Sequence, residues 1–167
     1  QRQMCIRDSL EKAGDPRAAV KAETRERERW GRKVVALLVE ARTPFGVDLE
    51  ARAVDWSSVE ALRCLKGLRA ATLRKRVLDW ASFARYLKAE RGLVWLTAAW
   101  HIHKYFDLRR EERAARSCYG SLLAALRFLE EAGEVTAANK LSGLDSLVNA
   151  VKELETQRAK LAEADGE

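Results

Sequence analysis

Proline is almost missing from this chain: Pro16 and Pro44 are the only two in 167 residues. Glycine is also sparse, at nine, so few positions interrupt a helix, and long helices are favoured over a loop-rich or all-β fold. The three cysteines, Cys5, Cys64 and Cys118, have no short paired spacing, which argues against a disulfide framework and fits a reducing compartment. Cys64 and Cys118 lack the companion Cys or His spacing of a zinc site. The two histidines, His101 and His103, stand at i and i+2, which point to different faces of a helix and cannot jointly hold a metal. Neither G-x-G-x-x-G nor G-x-x-x-x-G-K occurs, so nothing supports nucleotide hydrolysis. The longest apolar run, Val34 to Val39, is followed by Glu40 and Arg42 and falls well short of the roughly 18 to 20 residues that cross a bilayer. No charged-then-apolar leader precedes a small-residue cleavage site. The expectation is a chain with no metal, cofactor or membrane partner, in an intracellular location that is nuclear in a eukaryotic host and otherwise cytoplasmic.

Residues 1–9, QRQMCIRDS, resemble the direct translation of a transposon-end sequencing adapter and are set aside from fold reasoning. This removes Cys5 and the only methionine, Met4. The remainder is expected to be a gene fragment, its acidic finish at residues 158–167 truncated before a missing domain.

What is present is charge and helical periodicity. Apolar residues make up 47% and charged residues 34%, enough for one sizeable domain with an appendage or two small bundles sharing an interface. The net charge is +6, yet the segment from Arg63 to Arg91 alone holds nine cations against Asp79 and Glu90, a local excess of +7. A basic stripe confined to one element suggests a polyanionic partner, because each cation that displaces a condensed counterion from a phosphate gains release entropy. On charge alone, a solvated helix face explains the stripe equally well. The acidic residues mostly sit beside basic ones, as from Glu23 to Arg29, and no general acid or base stands out.

Along the chain, Trp30, Val34, Leu37, Leu38 and Ala41 recur at helical spacing and predict a helix over Lys21 to Arg42, ended by Thr43-Pro44. Phe45 to Ala53 shows no clear period. Val54 to Leu65 can form a shorter helix capped by Ser57 or Ser58 and broken by Gly67. Thr72 is the expected N-cap of the best-marked helix, which carries Leu73, Val77, Trp80, Ala84 and Leu87 on one stripe and stops at Gly92. Arg74, Ser82 and Arg85 fall within about 80° of one another on a different face, with Lys75 close by. Further helices are expected from Thr97 through Leu108, from about Ala114 to a stop at Gly133, and from near Asp145. The spacing of the five tryptophans favours core packing over platforms for single-stranded bases.

The stretch from Thr72 to Leu154, with TLRKRVLDWASFARYLKAERG, WHIHKYFDLRREE, ARSCYGSLLAALRFLEEAGEV and the helix after KLSGLDSLVNA, resembles the N-terminal core-binding domain of tyrosine recombinases and phage-type integrases. It looks closest to divergent recombinase-like proteins of eukaryotic mobile elements. The resemblance implies an all-α fold, a four-helix SAM-like core-binding bundle over residues 68–157, here preceded by one or two extra helices in residues 10–67. It implies that the first and third bundle helices face double-stranded DNA. Carried over, the first offers Arg74, Lys75, Ser82, Arg85 and Lys88, and the third Arg113, Arg116, Ser117 and Tyr119. These would contact phosphates without reading sequence.

The family's chemistry resides in a separate catalytic domain with a His-x-x-Arg element and a nucleophilic tyrosine. His101-Ile102-His103-Lys104 imitates that element with Lys at its last place and lies inside a bundle helix, so it is read as coincidence. No catalytic residue is expected here, and homo-oligomers are expected of the full-length protein. The competing reading is a helical protein-interaction module with no nucleic-acid role, presenting the apolar faces of Trp30–Ala41 and Leu144–Leu154 to partner helices.

Overall fold

The computed structural model describes residues 16–55, 61–65, 67–112 and 117–164. Among them are six α-helices, two short 3-10 helices and no strand, so the fold is all-α. No helix among the described residues is long and apolar enough to cross a membrane.

The first helix, α1 (Pro16–Glu40), buries Trp30, Val34, Val35, Leu38 and Val39, one face of a 3.6-residue repeat, while residues 16–26 are exposed on every side. It ends at Glu40, and the chain turns at Thr43, where the sequence places the stop. The Thr43 hydroxyl donates to the Leu38 carbonyl at 3.0 Å and accepts the Gly46 N–H at 3.2 Å, which caps a second helix, α2 (Pro44–Ala51). In the sequence, Phe45 to Ala53 shows no clear period. Its three buried residues, Phe45, Gly46 and Leu49, span little more than one turn, too short for periodicity to register.

In the expected helix from Val54 to Leu65, residues 56–60, with the proposed caps Ser57 and Ser58, lie outside the described residues. The part that is described, Ala61–Leu65, is a 3-10 helix followed by Gly67 at a φ of 70°. The long basic helix, α3 (Ala70–Arg91), starts two residues before the expected cap, and Thr72 lies inside it. Its N-terminal cap comes from α1 instead. The Glu23 carboxylate accepts the Ala70 N–H at 2.8 Å, and Arg27 Nε donates to the Leu68 carbonyl at 2.8 Å. A carboxylate at the positive end of a helix satisfies an otherwise orphaned donor and complements the macrodipole. Gly92, at a φ of 66°, ends α3 in the left-handed conformation as expected.

Three helices complete the fold: α4 (Trp100–Glu111), α5 (Cys118–Ala132) and α6 (Asp145–Ala164). Gly133 follows α5, but the left-handed step falls on Glu134, at a φ of 56°. Gly133 serves a close approach instead: a Cβ there would sit 2.9 Å from the Thr43 side chain, and Phe45 N–H donates to the Gly133 carbonyl at 3.1 Å. The α1–α2 turn is thereby seated on the end of α5.

One apolar cluster runs from Trp30 to Val151 through α1, α3, α4, α5 and α6. α3 lies at its centre, packed against α1 on one side and α5 on the other. Its heart is aromatic, with Trp80 against Phe83 (5.2 Å), Phe83 against Tyr105 (5.3 Å) and Phe106 against Tyr119 (5.2 Å). The core includes residues on both sides of positions 67 and 68, and α6 runs through residue 158 to Ala164. The apolar faces that the protein-interaction reading assigned to partners are largely consumed internally, since Trp30, Val34, Leu38, Leu147 and Val151 are all buried.

Candidate nucleic-acid interface

Burial of Leu73, Val77, Trp80, Phe83 and Leu87 fixes the rotation of α3, and the opposite side of the helix presents Arg74, Lys75, Leu78, Ser82 and Arg85 to solvent. Arg74, Arg85 and Lys88 are exposed and have no acidic partner among the described residues. Arg85 Nη2 donates to Ser82 Oγ at 3.4 Å, tying the two along one edge. Lys75 is held differently: its ammonium is 3.0 Å from Asp79 Oδ2 and donates to Ser121 Oγ at 3.1 Å, so part of its charge is already answered. The basic stripe of the sequence does not lie on one face, for Arg91 turns away to sit 4.6 Å over the Trp100 ring.

The bond from Lys75 to Ser121 joins α3 to α5 across a polar groove of about 260 Å³, also bounded by the end of α4. Lys75, Asp79, Ser82, Arg109, Ser117 and Ser121 line it. Residues offered separately by the first and third bundle helices, Lys75 and Ser82 with Ser117, thus share one wall-to-wall site. Arg113 and Arg116 lie outside the described residues. Arg109 is a groove residue the sequence reading did not nominate; it looked like part of a charged surface run, and only the placement of α4 turns it inward, ion-paired with Glu112. Beside it, burial pushes the Cys118 thiol above its ordinary pKa, so the groove wall carries a neutral thiol.

Tyr119 departs from its expected role. It is fully buried against Phe106, and its hydroxyl has no hydrogen-bond partner among the described residues. Its position three residues before Leu122 and seven before Leu126 puts it on the buried stripe of α5, so it cannot reach a phosphate in this fold. Replacing Tyr119 with phenylalanine is expected to leave DNA affinity unchanged and to keep or raise stability by up to about 1 kcal/mol, because an unsatisfied buried hydroxyl is removed. A fall in affinity in Tyr119→Phe, measured beside its urea denaturation curve, would return Tyr119 to the interface.

The histidines sit away from this face. His101 is buried in the first turn of α4, with Nε2 3.3 Å from Thr97 Oγ1 and its ring stacked on Trp100 at 3.9 Å. Burial first, and then the nearby Arg91 charge, lower its pKa below 6.5. The folded protein therefore binds this proton less readily than the unfolded chain. His101's contribution to stability is complete above pH 6.5 and declines as pH falls from 6.5 through the lower folded value. A His101→Gln variant should show a shallower loss of melting temperature between about pH 7 and 5 than the parent chain; parallel curves would dismiss this linkage.

The arrangement offers cations and hydroxyl donors without a nucleophile paired to a base. Among the described residues, no group of three or more His, Cys, Asp or Glu side chains could hold a metal ion. Of the described tryptophans, Trp30 and Trp80 are in the core, and Trp100, the exposed one among these described residues, has Arg91 over its ring. No protein-family profile, curated protein or solved structure matches this chain.

Proposed function

We propose that this chain grips the sugar–phosphate backbone of duplex DNA through the outer face of α3 and the start of α5, as the non-catalytic DNA-binding part of a tyrosine-type recombinase that works as a homo-oligomer. The observation that carries the DNA reading is the row of exposed cations on α3. Arg74, Arg85 and Lys88 project, without acidic partners among the described residues, from a helix whose other side is locked into the core. Arg74 and Arg85 are eleven residues apart, about 16 Å along the helix, a distance that covers about five base-pair steps of B-DNA. Ser82 and Ser117 add hydroxyl donors at the adjoining groove, and such contacts orient a protein on the backbone without reading bases. The recombinase part of the proposal rests on the helix order and pattern from Thr72 to Leu154.

Binding of the chain to a random-sequence duplex across a salt series tests the proposal. With three to five phosphate contacts, the logarithm of affinity should fall against the logarithm of salt with a slope of about −3 to −4.5. Absence of binding at low salt, or affinity indifferent to salt, would sink it.

A further inference from the structure

The expected partner-binding faces are only partly buried, and an apolar surface that includes Ala36 and Leu37 of α1 remains open. Where α1 crosses α3, the two helices leave a cleft of about 340 Å³ whose floor is Trp80 and Val77 and whose walls include Ala36, Leu37, Ala81 and Ala84. A second hollow of about 190 Å³ shares Leu37, Trp80 and Ala84 with it and ends at Val94 and Trp95. Val94 is 39% exposed, and Ala36, Leu37, Ala81 and Ala84 are half-buried, so the surface is apolar and accessible along its length. Its rim carries Lys33 from α1 with Arg85 and Lys88 from α3, against the single carboxylate of Glu40.

We propose that this cleft is the docking groove for an acidic amphipathic helix of a partner protein. Val77, Ala81, Ala84 and Lys88 follow one another at spacings of four, three and four along α3, so the small side chains of Ala81 and Ala84 leave hollows between Val77 and Lys88 at the repeat with which a facing helix projects large ones. From Val77 to Lys88 the row is about 16 Å long, which accommodates three turns of an incoming helix. Leucine-sized residues at i, i+3, i+4 and i+7 would cover Trp80, and acidic residues on their flanks would meet the three rim cations. Charge complementarity selects an acidic partner over a basic one. Duplex DNA does not suit the floor, since its phosphates find cations only at the rim. Because Arg85 and Lys88 also belong to the face proposed for DNA, the docked helix would compete with DNA there; the groove itself stands on its own geometry, whether or not DNA binds.

The test uses the full chain and two synthetic helical peptides of about 18 residues, long enough for five turns. One carries leucines at i, i+3, i+4 and i+7 with glutamates elsewhere, and the other has every glutamate replaced by lysine. In fluorescence anisotropy the glutamate peptide should bind saturably and at least about ten-fold more tightly than the lysine peptide. Ala84→Glu, which puts a charge into the cleft, should abolish its binding. The exposed double variant Arg85→Glu/Lys88→Glu, with helicity confirmed by circular dichroism, should weaken it about ten-fold or more. The proposal is overturned by absent binding, by equal affinity for both peptides, or by undiminished binding in both variants. It is equally overturned if the chain dimerises in solution and Ala84→Glu makes it monomeric, since a second copy would then be the occupant.

Discussion

Truncating Glu130 to alanine is expected to lower stability by about 2–4 kcal/mol, the usual consequence of leaving several buried donors without their charged acceptor. Glu130 is 1% exposed, near the end of α5, and its carboxylate faces the connection to α6. It accepts the Leu141 N–H at 2.6 Å and the Ser142 N–H at 3.3 Å, and the Ser142 hydroxyl also donates to it. One side chain thus satisfies three donors of a segment with no sheet or long helix to pair with, and sets where α6 begins. Loss of the carboxylate strands the two buried Ser142 donors and the half-buried Leu141 N–H, which is more damaging than loss of an exposed bond. For a chain of this size the melting temperature should drop by about 5–15 °C. Ser142→Ala removes one donor with its need for a partner and should lower stability by only about 1 kcal/mol. Urea denaturation followed by circular dichroism measures both. A Glu130→Ala loss no larger than that of Ser142→Ala would show that the carboxylate does not hold the connection.

The second large effect is on binding. Neutralising Arg74, Arg85 and Lys88 together, each to glutamine, should weaken duplex binding by roughly 10²- to 10³-fold at about 0.1 M salt and make the salt slope shallower by about 2.7. Each phosphate contact contributes about 0.9 to that slope, and these three are exposed cations on one side of α3 that no carboxylate among the described residues engages. Lys75 provides the internal contrast. Because Asp79 holds its ammonium at 3.0 Å, Lys75→Gln alone should matter less than Arg74→Gln alone, and Asp79→Asn should tighten binding by releasing the lysine. Thermal melts should be nearly unchanged in the triple variant, since exposed charges contribute little to stability. Full-strength binding by a folded triple variant would remove α3 from the interface.

How much of this was legible beforehand differs from element to element. The stop at Thr43-Pro44, the stripe Leu73–Val77–Trp80–Leu87 and the end of α3 at Gly92 follow from local chemistry: a capping hydroxyl, a 3.6-residue repeat, and a residue that tolerates positive φ. The burial of Tyr119 is legible too, since it stands three and seven residues before Leu122 and Leu126 on the α5 stripe; the family resemblance points it to DNA instead. α2 was not legible, since one buried turn carries no period. The start of α3 was displaced from Thr72 to Ala70 because its cap, Glu23, lies 47 residues earlier in the chain.

The candidate site divides along the same line. A net excess of cations between Arg63 and Arg91 is a property of the sequence, as are the helical class of the fold and the want of metal-binding and phosphate-loop spacings. Which cations are available is a property of the fold. Asp79 and Ser121 claim Lys75, Trp100 claims Arg91, and Arg109 joins the groove, through contacts set by how α3, α4 and α5 pack. Periodicity tells which side of a helix is buried because burial repeats with the helical turn. It does not tell which other helix covers that side, and so neither the shared groove of Lys75, Ser82 and Ser117 nor the open cleft over Trp80 could be read before the helices were brought together.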